Sequence, residues 1–210
     1  PEGFSLLATI GRRADPDLKA CRNYIFSRGF SEKDLWYFRL GAVSSGRHRR
    51  RVIVPSFDSE GVLNYFTARA IDEEAGRKYV NPRVKRSEVI FNEINIDWSD
   101  ELTIVEGPFD LMKANQNCTC LLGSSLAEKH FLFQRIVANK TPVLLALDPD
   151  AKKKTQDIAK LLNSFDVDVR VADVSPFSDV GEMNIGEFEK YRNIAEPWSE
   201  MDRLKSLIDS

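Results

Sequence analysis

Hydrophobic and polar positions follow two different patterns in the two halves of the chain. Before residue 77, spacing typical of amphipathic helices gives way to runs rich in β-branched and aromatic residues. The predicted elements are helices at 16–27 and 31–41 and strands at 51–55 and 62–69. Residues 1–14 lack strong periodicity, and 77–91 are expected to be irregular with short strands. The first half therefore predicts an α+β subdomain.

Local signals mark the ends of these elements. Asp15 and Pro16 are typical of an N-cap followed by the first helical position. Ser31, followed three residues later by Asp34, forms an approximate capping box for the second helix. The segment 58–61, which ends in glycine, supplies a turn between the two strands. A helical pair followed by a β-hairpin is the expected result.

From Leu102 onward, short apolar runs alternate with helical stretches. Predicted strands are 102–105, 119–122, 142–147 and 167–173, and predicted helices are 108–116, 127–138, 151–164 and 186–193, followed by an amphipathic stretch at 198–208. Such alternation is typical of a mainly parallel sheet flanked by helices. The predicted fold class is thus α/β, divided into a basic N-terminal subdomain, a metal-binding domain and a C-terminal helical segment at 1–99, 100–185 and 186–210.

Composition agrees with a globular protein. The chain has 210 residues, of which 42% are hydrophobic, enough for one large or two small domains. Its three cysteines, Cys21, Cys118 and Cys120, have no zinc-ligand spacing and fit reduced core thiols. No apolar run is long enough to span a membrane. We therefore expect a cytoplasmic protein, in the cytoplasm of a bacterial host if it is phage-encoded.

The net charge of −2 conceals an uneven distribution. Basic residues concentrate in the first half, as a run at 47–51 and then at Arg69, Arg77, Lys78, Arg83, Lys85 and Arg86. Acidic clusters concentrate in the second half. A basic half combined with an acidic site suits a polyanionic substrate that also needs a metal ion.

Three acidic groups follow three of the predicted parallel strands. They are Glu106 with Asp110, Asp148 with Asp150, and Asp179 with Glu182. Taken alone, Glu106 with Asp110 is better explained by helix capping, and Asp150 could equally cap the helix that follows it. Carboxylates at the carboxyl ends of parallel strands meet at one edge, however, where their mutual repulsion favours a bound divalent cation such as Mg²⁺ or Mn²⁺. The sequence therefore predicts metal-assisted chemistry on phosphates.

These acidic motifs resemble a known domain. Glu106-Gly-x-x-Asp110 followed by Asp148-x-Asp150 resembles the TOPRIM domain of bacterial-type primases, type IA and II topoisomerases, some nucleases and recombination proteins. The segment 123–126 is similar to the Gly-Thr-Ala-Leu segment of DnaG-type primases, and 179–182 to their Asp-Pro-Asp-Glu segment, with Gly181 where an Asp is usual. The resemblance implies that Glu106 acts in general acid/base chemistry and that the Asp residues hold Mg²⁺ or Mn²⁺.

The basic half resembles the N-terminal subdomain of the DnaG-type catalytic core. The similar segments are 24–29, 51–55, 66–69 and 78–82. Their sequences are closer to those of phage-encoded primases than to those of the cellular enzymes. Arginine and lysine neutralise nucleic-acid phosphates, and aromatic rings stack on bases. Candidate DNA- or nucleotide-binding residues are Arg69 and Lys78, then Arg51, Arg83 and Arg86, with Asn81 and with Tyr79, whose role is equally open to packing.

The resemblance implies a DNA primase that synthesises short RNA primers on single-stranded DNA by nucleotidyl transfer in DNA replication. Glu106, Asp110, Asp148 and Asp150 would be catalytic, and these four with Asp179 and Glu182 would bind metal. Implied partners are ribonucleoside triphosphates, the RNA primer, a replicative helicase and a separate zinc-binding module. A TOPRIM-type nuclease and a non-catalytic nucleic-acid-binding module remain alternatives. His48 and His130 are expected to be surface residues without a chemical role.

Overall fold

The computed structural model describes residues 1–123 and 125–200. The chain forms two compact units, one of residues 1–57 and 62–84, the other of residues 58–61 and the chain from Lys85 onward. The predicted boundary near residue 99 lies inside the second unit. The predicted α/β class, with an α+β first part and a mainly parallel sheet after it, is confirmed.

A four-stranded antiparallel sheet organises the first unit. Its strands follow the order β1-β2-β3-β4 and comprise Ser5–Leu6, Gly41–Ala42, Arg51–Phe57 and Leu63–Ala70. The predicted hairpin is confirmed: Arg51 pairs with Ala70, and the register runs to Phe57 opposite Leu63 with an irregularity after Ser56. The backbone N–H of Gly61 donates to the carbonyl of Asp58 at 3.0 Å, which closes the predicted turn.

The first fourteen residues contribute a strand that the periodicity did not reveal. Ser5–Leu6 pairs with Gly41–Ala42, and two-residue strands are too short to show alternation. A Cβ at position 41 would lie 2.0 Å from the exposed Phe4 ring, so a larger residue there would require that ring to move. The second helix is accordingly shorter than predicted.

Both helices of the first unit begin where their capping signals predict. Helix α1 is Pro16–Ser27, and Asp15 Oδ1 accepts a hydrogen bond from the Asp17 N–H at 2.8 Å. Helix α2 is Glu32–Tyr37, and the capping box between Ser31 and Asp34 is present. The chain leaves α2 through Arg39, whose φ of 50° is incompatible with a continuing helix.

The second unit contains a five-stranded sheet with the order β6-β5-β7-β8-β9. The strands are Leu102–Val105 (β5), Cys118–Cys120 (β6), Val143–Leu145 (β7), Val169–Val171 (β8) and Glu196–Pro197 (β9). The first four are parallel to one another, as predicted. The edge strand β9 pairs antiparallel with β8 and was not predicted, since two residues carry no periodic signal.

Four α-helices accompany this sheet in the described part of the chain. They are Pro108–Leu111 (α3), Phe131–Asn139 (α4), Lys152–Asn163 (α5) and Ile185–Ile194 (α6). Helix α3 is shorter than the predicted 108–116, and α4 begins after a turn rather than at residue 127. Most of the predicted amphipathic stretch at 198–208 lies outside the described residues. Its first residue, Trp198, is buried in the core.

Fully buried aliphatic side chains fill the sheet of the second unit, including those of Leu102, Ile104, Val143 and Leu145. Burial on both faces is typical of parallel strands covered by helices. Because β5, β7 and β8 are adjacent and parallel, their carboxyl ends lie at one edge of the sheet. This edge receives the three acidic segments.

None of the helices in the described ranges combines the length and hydrophobicity needed to cross a membrane.

Candidate acidic active site

The first acidic segment joins β5 to α3. Asp110 is at the third position of α3, and its Oδ2 accepts a hydrogen bond from the Gly107 N–H at 2.8 Å. A Cβ at position 107 would lie 3.2 Å from that same oxygen, so any other residue would have to push the Asp110 carboxylate by a few tenths of an ångström. Asp110 Oδ1 accepts from the Gly181 N–H at 3.2 Å. Part of the role of Asp110 is therefore to cap α3, as the alternative interpretation of this motif held.

Asp110 is nevertheless electrostatically unusual. Burial, followed by the negative charge of Asp179, raises the pKa of Asp110 to about 6, although the two backbone hydrogen bonds lower it. Its side chain is among the few buried charged groups of the unit. A carboxyl group with this pKa is close to a proton equilibrium near neutral pH.

The second acidic segment follows β7 in a single 3-10 turn, Pro149–Ala151. Asp148 is half-buried and Asp150 is exposed. Burial, and then the charges of Glu106, Asp110, Asp179 and Asp150, raise the pKa of Asp148 to about 7. The structure thus brings five of the six predicted acidic residues close enough to affect one another.

The third acidic segment contains the 3-10 turn Val180–Glu182. The Asp179 Oδ1 atom is buried and has no hydrogen-bond partner among the described residues. Glu182 is exposed, and its Oε2 accepts from the Ser178 N–H at 3.0 Å, which closes its own turn. Asp179 therefore joins the acidic edge, whereas Glu182 accepts a local hydrogen bond within its own turn.

A lysine that the sequence motifs did not indicate enters this site. Lys154 Nζ lies 2.9 Å from Glu106 Oε2, and the two side chains are only 18% and 26% exposed. Lys154 belongs to the first turn of α5. The available signal was the run of three lysines at 152–154 immediately after Asp148-x-Asp150.

A cleft of about 490 Å³ lies beside this ion pair. Its lining includes Glu106, Asp150, Lys153 and Lys154 on the polar side and Leu126 on the apolar side. The cleft is of a size typical for small-molecule sites. It combines both signs of charge, which suits a phosphate ligand accompanied by a cation.

The carboxylates do not themselves form a coordination shell. Within the described ranges, no group of three or more His, Cys, Asp or Glu side chains has an arrangement that could hold a metal ion. Glu106 is paired with Lys154, and Asp110 accepts from two backbone amides. The chemistry of the donors still fits a hard divalent cation, because several carboxylates repel one another here and one buried Asp179 oxygen has no hydrogen bond from the described part of the chain.

The nucleic-acid candidates of the first unit form a second cluster. Arg69 Nη1 donates to the Tyr79 hydroxyl at 3.0 Å, and Arg51 Nη1 lies 3.3 Å from the Lys78 carbonyl. Thr67 on the same strand as Arg69 donates to Asn81 Oδ1 at 2.9 Å. The structure therefore brings together five of the seven predicted residues, namely Arg51, Arg69, Lys78, Tyr79 and Asn81.

The other two candidates have different surroundings. Arg83 is exposed in the first unit. Arg86 belongs to the second unit, where its Nη1 donates to the Leu122 carbonyl at 2.6 Å beside a cleft of about 340 Å³. Arg86 thus binds the residue immediately before the segment 123–126, and that segment resembles a primase motif.

Part of the basic run at 47–51 is structural. Arg49 and Arg50 both bind Asp17, and Arg50 also binds Asp72 at 2.6 Å. The ring of His48 packs edge-on against Phe66. Arg51 differs from these residues, because it contacts the Lys78 carbonyl beside Tyr79.

Known proteins similar to this chain are DNA primases. The chain is 31% identical over 96 residues to the DNA primase of Listeria innocua, an alignment that covers 40% of this chain and 15% of that primase. No protein-family model matches the chain.

Solved structures extend the likeness to most of the fold. A DNA primase domain from Pseudomonas aeruginosa matches 94% of this chain and 78% of its own length, with a TM-score of 0.75 and 18% identity. The RNA polymerase domain of Mycobacterium tuberculosis primase DnaG, solved with a double-stranded DNA oligomer bearing a 6-nucleotide overhang, matches 88% of this chain and 75% of its own, with a TM-score of 0.69 and 19% identity.

This chain combines an antiparallel unit with a mainly parallel sheet, and these likenesses place its fold in the class of the DNA primase catalytic cores. The resemblance indicated by the motifs is confirmed. The chain has the fold of a DnaG-type primase catalytic core.

Proposed function

We propose that this chain is the catalytic core of a DNA primase, a nucleotidyltransferase that makes short RNA primers on single-stranded DNA. The observation that carries the proposal is the set of carboxylates at the edge of the parallel sheet, in a fold shared with DnaG-type catalytic cores. Burial, and then the charges of four neighbouring acids, raise the pKa of Asp148, as expected where a cation is part of the working site.

In the proposed reaction, the primer 3′-hydroxyl attacks the α-phosphate of a ribonucleoside triphosphate and pyrophosphate leaves. Asp148, Asp150, Asp179 and Asp110 would hold Mg²⁺ or Mn²⁺. When bound, the cation would supply charge neutralisation on the phosphates and favour deprotonation of the attacking hydroxyl.

Glu106 would either accept the hydroxyl proton or contribute to cation binding. The contact with Lys154 fixes the direction of its carboxylate toward the cleft side of the edge. Asp110 is held by two backbone amides, so its carboxylate keeps a constant position while substrates exchange. The protein would thus orient the carboxylates of Glu106 and Asp110 before the substrates bind.

The basic cluster of the first unit would bind the single-stranded template or the triphosphate. Lys78 is exposed and lies with its Nζ 5.9 Å from the Tyr79 ring, so charge and an aromatic face are available together. Arg51, Arg69, Asn81, Arg83 and Arg86 would contribute further contacts. The RNA primer, a replicative helicase and a separate zinc-binding module would be the remaining partners, in the cytoplasm.

The test is an assay with single-stranded DNA, labelled ribonucleoside triphosphates and Mg²⁺ or Mn²⁺. Oligoribonucleotides whose synthesis requires template and triphosphate are expected, and they should disappear in the variant that combines Asp148→Asn with Asp150→Asn. His130→Ala serves as the control and should keep full activity. Shortened DNA without primer synthesis would instead indicate a nuclease, and binding without either product a non-catalytic module.

A further inference from the structure

The ion pair between Lys154 and Glu106 joins two segments that are 48 residues apart. Its Nζ–Oε2 distance is 2.9 Å, and about three quarters or more of each side chain is buried. A carboxylate and an ammonium group that leave water to this extent depend on each other, because either one alone would be costly to bury. The contact is therefore part of the construction of the acidic edge.

The neighbouring lysines of α5 differ from Lys154. Lys152 and Lys153 are exposed, although Lys153 borders the same cleft. One turn of helix thus presents three identical side chains, and the one at position 154 reaches the glutamate. The position on the helix, rather than the total positive charge, selects the contact.

We propose that Lys154 is a built-in counter-ion of the acidic site, which neutralises Glu106 in the absence of a divalent cation and competes with that cation for the glutamate oxygen. The inference rests on the proposed function, since it concerns cation loading of the same site. The cation concentration at which the site fills is then set partly by this lysine.

The competition follows from the shared oxygen. An ammonium group at 2.9 Å from Oε2 occupies a position in which a cation bound to that oxygen would meet a like charge. Lys154 must withdraw, or Glu106 must turn away, before Glu106 can serve as a ligand. The ion pair also reduces the repulsion among the carboxylates before any cation binds, because it neutralises one of them.

The experiment measures Mn²⁺ binding to the full chain by the electron paramagnetic resonance signal of free Mn²⁺, with no nucleotide or DNA present. Lys154→Met, in which an uncharged side chain of similar length replaces lysine, is expected to bind Mn²⁺ about three- to fivefold more tightly than the unaltered chain, the scale of a partly exposed ion pair. Lys154→Arg keeps the positive charge and should bind as the unaltered chain does.

Lys153→Met is the matched control, since it removes the same charge from the same helix without touching Glu106. It should change Mn²⁺ affinity less than Lys154→Met does. Equal gains in the two Met variants, or unchanged or weaker binding in Lys154→Met, would overturn the proposal. Circular dichroism checks that each variant folds, and Lys154→Gln provides a second neutral variant.

Primer synthesis is scored separately on the unaltered chain. Primer synthesis together with unchanged Mn²⁺ affinity in Lys154→Met would leave the primase function standing and remove the role of Lys154. Tighter Mn²⁺ binding in Lys154→Met without any primer synthesis would support the competition and contradict the primase function. Absence of Mn²⁺ binding by every variant at millimolar concentration would overturn the competition.

Discussion

Two clusters of charged side chains, one in each unit, have opposite arrangements. In the first unit, Asp17 accepts from two arginines and Asp72 from one, so each of these carboxylates has a cationic partner. At the acidic edge of the second unit, the carboxylates of Glu106, Asp110, Asp148 and Asp179 accumulate, and Lys154 provides a cationic partner for one of them.

The direction of the pKa shifts expresses this difference. Hydrogen bonds from Arg49 and then Arg50 lower the pKa of Asp17, whereas burial and neighbouring acids raise the pKa of Asp148 to about 7. A carboxylate neutralised within the chain contributes to folding. A carboxylate repelled by its neighbours is tolerated where a ligand supplies the missing charge, and under the proposed function this contrast separates structural from functional charges.

The largest expected effect concerns Asp148→Asn. Primer synthesis should fall by about 10²-fold or more, the scale for loss of one strong electrostatic contribution to a reaction. The Tm of the cation-free protein should not fall, because the substitution removes a repelled charge while nearly preserving volume. Primer yield and thermal unfolding of the same preparation provide the measurement. Full activity in this variant would contradict the proposal that the acidic edge of the second unit carries the catalytic charges.

The opposite outcome is expected for Asp17→Asn in the first unit. This substitution leaves Arg49 and Arg50 without their shared carboxylate and should lower the Tm at neutral pH. A thermal unfolding series compares this variant with the unaltered chain. An unchanged Tm would show that the ion pairs of Asp17 with Arg49 and Arg50 contribute nothing to the stability of the fold.

The same residue predicts a response to acid. Because the folded pKa of Asp17 lies below the unfolded value of 3.8, its contribution is present above that value and is lost as pH falls through the folded pKa. The stability difference between the unaltered chain and Asp17→Asn should therefore be constant near neutral pH and shrink below about pH 4. Thermal unfolding across this pH range tests it, and a difference that persists in acid would contradict it.

A smaller effect is expected for Lys78→Ala in the basic cluster. Affinity for single-stranded DNA should fall by roughly fivefold at low salt, and the slope of log affinity against log salt should decrease by about 1 or less, because one phosphate contact is removed. Fluorescence anisotropy of labelled DNA at several salt concentrations measures both. Arg13→Ala, at an exposed position outside the cluster, should leave both unchanged.

The smallest expected effect is that of Tyr79→Phe, and its comparison with Tyr79→Ala distinguishes two roles of Tyr79. Tyr79→Phe removes the hydroxyl that accepts from Arg69 at 3.0 Å but keeps the ring. If the ring stacks on a base, DNA affinity should fall by about twofold in this variant and by roughly tenfold in Tyr79→Ala. Equal losses in the two variants would show that the hydroxyl, and not the ring, is the important group.

Much of the fold was predictable because its signals are local. Asp15, Pro16 and the Ser31–Asp34 box act within one helical turn, and the buried runs at 102–105 and 142–147 are contiguous. The strands β1, β2 and β9 were not predictable, since each contains two residues and depends on a partner elsewhere in the chain. A pattern of hydrophobicity cannot indicate a strand of that length.

The sequence by itself determined the α/β class and the resemblance to primases. It also determined that the acidic segments around Glu106, Asp148 and Asp179 follow the carboxyl ends of parallel strands. Only the tertiary structure decided which partner each carboxylate has. Lys154 forms an ion pair with Glu106, and the Gly181 N–H donates to Asp110, which lies 71 residues away in the chain. The physical reason is that strand order brings segments to a common edge. The direction and partner of each side chain there depend on packing between segments that are distant in the chain.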